Sequence, residues 1–259
     1  MRVRCIISKI ANSAYNLKIR NTGWVQAGHH LTIGKEYEVY AFYNSYFGNG
    51  IDAYLICDDN FDGREYYWPI YIPTIFFEII DSSKPDFWID IGNNSEYTGP
   101  VELTMENYEA LLDGDSAAVA GFKWTRCFIS ATELMRIRRL KTEDVIIYID
   151  ESINGTKNLI DHIRHSLNSP YILSQGSTWN SMEDELMDLS WISNKYVKII
   201  HYNLPSLAIP DMKNYLRVLK RVTGCWEKFG ICDTMKGVCL GLQILFRDTL
   251  KKKVDFLLN

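Results

Sequence analysis

From Asp144 onward the sequence alternates short β-branched runs with stretches of helical periodicity, and this alternation limits the folds open to the chain more than any other feature. "DVIIYID" reads as a buried strand, and "GTKNLIDHIRHSLN" as an amphipathic helix that turns Leu159, Ile160, Ile163 and Leu167 inward. "TWNSMEDELMDLSW" reads as a second helix and "KYVKIIHY" as another strand. "PDMKNYLRVLKRVTGCW" places Pro210 and Asp211 at a helix start, with Met212, Tyr215, Leu216 and Leu219 on one side. "GVCLGLQILF" supplies a further strand. Strands parted by helices of this length need crossover connections, which build a small, mainly parallel sheet.

The residues before Asp144 follow a different rule. "KEYEVYAFY", "DAYLICDD" and "TIFFEIID" alternate aromatic and β-branched residues with polar ones, and clusters of Gly, Asn, Asp and Pro separate them. That pattern predicts a curved antiparallel sheet or barrel. "LTMENYEALLDGD" predicts a helix between Thr104 as N-cap and Gly114 as stop. "SATELMRIRRLKTED" opens with a capping box, Ser130 and Glu133, and continues into a basic segment. A chain of 259 residues suits two domains. The boundary is expected near Lys141 to Asp144, giving a β-rich domain over 1–143, with one or two helices at its end, and an α/β domain over 144–259. "LTIGKEYEVYAF" together with "YIPTIFFEIID" resembles small SH3-like modules in bacterial proteins of the toxin-immunity kind. The fold class expected is therefore α+β: an antiparallel, SH3-like barrel domain followed by an α/β domain.

With 47% hydrophobic and 23% charged residues the chain holds enough apolar surface to offset its ordering entropy. The six cysteines form no CxxC pair and no zinc-ligand grouping, so buried free thiols in a reducing compartment are expected. The opening "MRVRCIISKIANSAY" scatters charge through its apolar positions and lacks a signal-peptide core. No apolar run approaches membrane-spanning length. These features predict a cytoplasmic protein with no membrane partner.

One stretch is unusual for its charge. "TWNSMEDELMDLSW" carries Glu183, Asp184, Glu185 and Asp188, while no Lys or Arg occurs from Ser166 through Asn194. On a helix, Trp179, Met182, Leu186 and Leu189 form the inward stripe, and Asn180, Asp184 and Asp188 share the opposite face with Glu183 beside them. Acidic helix faces are ordinarily solvated surfaces, and acids in a first turn suit the helix dipole. These acids, however, have no base at i+3 or i+4, and like charges so placed are destabilising. They also follow the loop "NSPYILSQGS", where Tyr171 and Gly176 give a shaped surface. An exposed anionic row beside aromatic groups imitates a phosphate backbone and would plug a basic cleft.

The order strand, helix, "PY…G", "TWNSMEDEL", "DLSW", strand "VKIIHYNLP", helix "YLRVLKRV" resembles the barstar-like inhibitors of bacterial ribonucleases. The resemblance covers roughly the last 115 residues. Its sharpest part is the family pattern Asn-Trp-Asp-Ala-Leu-x-Asp-x-Leu, aligned with Thr178 to Leu186, where Trp179, Asp184 and Leu186 match. What it implies is an intracellular immunity protein whose second helix and preceding loop enter a nuclease toxin's active site. By that resemblance Asp184 stands where the family pairs with active-site arginines and the catalytic histidine. Asn180 replaces a second family carboxylate, and Glu183 replaces an aromatic contact. The expected partner-binding residues are Tyr171, Gly176, Asn180, Glu183, Asp184, Asp188 and Trp191, with Trp179 as structural support beneath them.

Other constellations carry less. "DDNFDG", Asp58 to Gly63, imitates half a calcium loop, but the twelfth position is Pro69 where a bidentate Glu is needed. His162 and His165 lie three apart with no third metal ligand placed by the sequence, and His201 reads as a hydrogen-bonded core-edge residue. "RIRRLK", Arg136 to Lys141, and "KKK", Lys251 to Lys253, read as solvated segments in a chain of net charge -4, with no direct nucleic-acid partner. No P-loop, dinucleotide fingerprint, nucleophile elbow or HExxH occurs, so no enzyme, cofactor or metal is expected. Two alternatives stay open: an interaction module that keeps the fold without inhibiting a nuclease, and an enzyme with its site in the amino-terminal domain.

Overall fold

Two sheets of opposite kind organise the chain, one antiparallel and one parallel, with seven α-helices among the described residues. The computed structural model describes residues 1–7, 30–46, 50–59, 68–92, 96–139, 143–171, 176–192, 195–228, 239 and 241–259. Seven strands come first: β1 (Arg2–Cys5), β2 (Glu36–Tyr43), β3 (Ala53–Ile56), β4 (Ile70–Pro73), β5 (Phe77–Asp81), β6 (Ile89–Ile91) and β7 (Tyr97–Gly99). Helices α1 (Met105–Leu112) and α2 (Ser116–Thr125) follow. The remainder runs β8 (Phe128–Ile129), α3 (Ala131–Arg139), β9 (Val145–Ile149), α4 (Thr156–Ser166), α5 (Trp179–Asp188), β10 (Tyr196–His201), α6 (Ile209–Lys228), β11 (Gly241–Arg247) and α7 (Lys251–Leu258).

The chain divides into compact units Met1–Phe122 and Lys123–Asn259, so the boundary falls inside α2 rather than near Lys141 to Asp144. Strand β8 explains the difference. It pairs in parallel with β11, Phe128 opposite Phe246 and Ile129 opposite Arg247. Ile129, Leu134 and Ile137 then cluster with Ile200 of β10. A two-residue strand has no period to read, and its membership of the second sheet is fixed only by this distant pairing.

In the first unit the antiparallel order is β4-β3-β2-β1-β5, and β7 pairs with both β2 and β6. Strand β2 is shared: Glu36–Glu38 pair with β1, while Val39–Tyr43 pair with β3. A 3₁₀ turn, Thr74–Phe76, connects β4 to β5. All four residues of β3 are buried because both its faces are covered. Tyr54 and Ile56 join Val3, Val39 and Phe77 on one side, and Ala53 and Leu55 join Tyr71, Leu103 and Leu111 on the other. Gly114, with φ 74°, supplies the left-handed turn after α1 that its position predicts. Of "DDNFDG", the residues from Asn60 onward lie outside the described ones. Asp59 is already engaged by the Thr32 hydroxyl at 2.6 Å, the Tyr37 hydroxyl at 3.0 Å and the Lys35 ammonium.

In the second unit every strand pairing among the described residues is parallel, in the order β8-β11-β10-β9. Helix α4 packs against β9, and α6 packs against α5, α7 and β11. The inward stripes are those the periodicity predicts: Leu159, Ile160, Ile163 and Leu167 around α4, and Met212, Tyr215, Leu216 and Leu219 on α6, are all buried. One expectation is overturned. Lys251 is not solvated: it is 4% exposed, bonds Asp255 at 2.7 Å and lies 5.5 Å from the Phe128 ring centroid. The short β8 draws the first turn of α7 over its phenyl ring, which buries the lysine's aliphatic stem.

Candidate functional site

Helix α5 is built by local chemistry at both ends. Thr178 is its N-cap; its hydroxyl accepts from the Ser181 amide at 3.2 Å, and its own amide donates back to the Ser181 hydroxyl. At the other end Leu189 adopts the left-handed region at φ 41° without being glycine. Such strain costs on the order of 1–3 kcal/mol. Complete burial of the leucine side chain returns a similar amount. The carbonyl of Leu186, one of the orphan acceptors of the last turn, is met by the Trp226 indole N–H at 2.6 Å.

The four acids of this helix divide into two pairs with opposite fates. Glu185 is 3% exposed and bound to the equally buried Arg164 of α4. Glu183 is bound to Arg221 of α6. Bases therefore reach this helix from two neighbouring helices, and the expectation that its acids stand wholly unoffset is corrected for these two. Asp184 and Asp188 differ. Both are exposed, and among the described residues neither has a hydrogen-bond or ion-pair partner. Asn180, one turn earlier, is likewise exposed and unpartnered among the described residues. No acid lies in the first turn, so favourable interaction with the positive helix end does not account for them. Asp188 is the last helical residue, where the dipole disfavours a carboxylate.

Trp179 donates from its indole N–H to Asp211 at 3.2 Å and lies 5.9 Å from the Tyr215 ring, so it faces α6. Trp191 and Tyr171 meet edge to face at 5.6 Å, and the Trp191 indole donates to the Leu167 carbonyl at 3.1 Å. Gly176 is exposed, and its carbonyl accepts from the Ser181 hydroxyl at 2.7 Å.

Two charged residues escape sequence reading. Arg164 and Glu185 are among the most deeply buried side chains. Arg164 follows Ile163 and stands four after Ile160; Glu185 precedes Leu186 and stands three after Met182. Their places on the edges of two apolar stripes are the signal that reveals them. Beneath the same layer His201 is fully buried, bonded through Nδ1 to the Leu245 carbonyl at 3.1 Å and through Nε2 to the Tyr215 hydroxyl at 2.7 Å. Burial pushes its imidazole down to about 3, against the Leu245 carbonyl, which pulls it upward.

His162 and His165 bond separate backbone carbonyls, of Tyr148 and Asp161. Among the described residues no group of three or more His, Cys, Asp or Glu is placed to hold a metal ion. Among the same residues no helix is long and apolar enough to cross a membrane. No family model, curated protein or solved structure matches the chain.

Proposed function

We propose that the second unit is a barstar-like inhibitor that occludes the basic active-site cleft of a ribonuclease toxin, acting as an intracellular immunity protein. The observation that carries this reading is the pair Asp184 and Asp188: exposed, unpartnered among the described residues and one turn apart, with Asp188 at the helix end that disfavours a carboxylate. Two like charges at i and i+4 lower helix stability by roughly 0.2–0.5 kcal/mol, so their placement is better explained by an external cationic partner than by the fold. The order β9-α4-α5-β10-α6-β11-α7, with parallel strand pairing among the described residues, supports the reading. A ribonuclease cleft must be cationic to hold phosphates. Carboxylates presented to it form charge-assisted pairs and speed encounter. Asp184 takes the centre, Asn180 and Asp188 flank it, and Tyr171, Gly176 and Trp191 border it. Glu183 contributes less than its neighbours because Arg221 already offsets its charge.

For the first unit the finer reading is an SH3-like barrel. Its support is the strand order, the strand β2 shared between pairings, and the 3₁₀ turn that joins β4 to β5, the two ends of the path.

The test is inhibition. Titration of the chain into RNA-cleavage assays with a panel of basic bacterial ribonucleases, including any toxin encoded beside it, should give stoichiometric inhibition of at least one. Asp184→Ala should raise the inhibition constant about 30-fold, the size expected of a binding hot spot, with an unchanged far-ultraviolet spectrum. Failure of the wild-type chain against the whole panel, or equal inhibition by the variant, overturns the proposal.

A further inference from the structure

We propose that Arg164 is the positioning residue of this docking surface: a buried guanidinium that fixes the chain on both sides of residues 172–175 to helix α5. This rests on the inhibitor reading, and deepens it by naming what holds the surface ready. The geometry is specific. Arg164 Nε donates to Glu185 Oε1 at 2.9 Å, and its Nη2 reaches the same oxygen, the Ser181 hydroxyl at 3.1 Å and the Gly176 carbonyl at 3.3 Å. The other Glu185 oxygen accepts from the Ser169 hydroxyl at 2.9 Å, and that hydroxyl in turn receives the Tyr171 amide at 3.2 Å. One ion pair thus ties the residues entering the segment, Ser169 and Tyr171, and the residue leaving it, Gly176, to the helix that bears Asp184.

The chemistry explains why an arginine stands here. A planar fork with several fixed donors engages a carboxylate, a hydroxyl and a carbonyl at once, whereas an ammonium has no such fixed geometry. A second link from α4 runs parallel to it, since the Ser177 hydroxyl donates to Asp161 at 3.0 Å. A buried ion pair is a weak device for stability, because desolvation of both charges opposes their attraction. Its effect is to leave one arrangement of the connected groups, and pre-organisation of that kind lowers the entropy lost when a partner docks. Neither Arg164 nor Glu185 need touch the partner, as both are out of solvent.

The test replaces both charges together, because removal of one leaves the other buried and unpaired. The double variant Arg164→Met/Glu185→Leu is compared with Ile147→Val, a modest core substitution in β9, and with Ser169→Ala, which cuts only the hydroxyl link. Hydrogen exchange at the Tyr171, Thr178 and Ser181 amides should quicken at least tenfold in the double variant. It should quicken at Tyr171 in Ser169→Ala and remain near wild type in Ile147→Val. With a ribonuclease that the wild-type chain inhibits, dissociation of the double variant should be at least tenfold faster. Its association rate and salt dependence should be retained, because Asp184 and Asp188 are unchanged. Exchange at these amides no faster than in Ile147→Val overturns the assignment, and if the double variant does not fold, an unaltered Tyr171 amide in Ser169→Ala does so alone. An association rate that falls in step with affinity also overturns it. If no ribonuclease in the panel binds the wild-type chain, the inhibitor reading fails by itself, and the exchange measurements still decide whether Arg164 holds Tyr171 and Gly176 to helix α5.

Discussion

The Tyr215 hydroxyl donates to His201 Nε2 across 2.7 Å, at the base of the layer that carries helix α5. The direction follows from the other ring nitrogen: a carbonyl can only accept, so Nδ1 bears the proton shared with Leu245 and Nε2 is left as the acceptor. The Phe246 ring stacks on the imidazole at 4.1 Å and completes its exclusion from water.

That arrangement predicts an acid-sensitive fold. The folded imidazole titrates at about 3, against 6.5 for an unperturbed histidine. Between those values the unfolded chain binds a proton that the folded chain refuses, so stability falls as pH falls, by about 1.4 kcal/mol per pH unit for this one group. Above about 6.5 the contribution is complete and flat. His201→Gln retains a donor for Leu245 and an acceptor for Tyr215 without the titration. Urea midpoints from pH 7 to pH 4 should fall less steeply in that variant, and parallel slopes would contradict the assigned protonation.

The sorting of the acids predicts opposite effects of neighbouring substitutions. Asp184→Asn and Asp188→Asn each remove an unoffset charge and should slow association with a basic ribonuclease while flattening its salt dependence. Glu183→Gln uncovers the Arg221 guanidinium beside the acids, so it too should slow association. Arg221→Gln releases the Glu183 carboxylate, so it should accelerate association severalfold and steepen the salt dependence. Stability should hardly move in Arg221→Gln, since Arg221 is 58% exposed and ion pairs of this kind contribute about 0–1 kcal/mol. Stopped-flow association at two ionic strengths decides the matter. A slower Arg221→Gln would mean that the arginine itself meets the partner.

Legibility in the sequence follows the range of the interactions. The stripe of Met182, Leu186 and Leu189 is readable because helical period alone determines it, and all three are buried. Strand β1 is not readable: Arg2 to Cys5 offers two apolar residues, and its place between β2 and β5 depends on partners far along the chain. The Arg164–Glu185 pair joins residues 21 apart through tertiary contact, and a charge at the edge of an apolar stripe reads as solvated until the neighbouring helix is in place. For the same reason the free acids are separable from the engaged ones only in three dimensions, because Arg221 lies 38 residues beyond Glu183.

Trp179 should behave as a support rather than a contact. Trp179→Phe keeps a ring against Tyr215 and loses the indole N–H that meets Asp211. The expected loss of stability is about 1 kcal/mol, one ordinary hydrogen bond. Inhibition should stay within about threefold of wild type, well short of the loss expected for a hot spot such as Asp184→Ala. Equal losses for the two variants would put the indole in the interface.

Two tyrosines of the first unit give a contrast that needs no partner. Tyr71 is 1% exposed and its ring stacks on Tyr46 at 4.1 Å, yet among the described residues its hydroxyl has no hydrogen-bond partner. Tyr108 meets the same ring edge to face at 5.0 Å, but its hydroxyl donates to the Pro69 carbonyl at 2.9 Å. A buried, unsatisfied hydroxyl is destabilising by about 1–3 kcal/mol relative to its removal, whereas loss of a satisfied one forfeits a bond and strands its acceptor. Tyr71→Phe should therefore raise stability by about 1–3 kcal/mol, while Tyr108→Phe should lower it by about 1 kcal/mol. Thermal and urea unfolding of the full chain separate the two, and destabilisation by Tyr71→Phe would reveal a partner for that hydroxyl in solution.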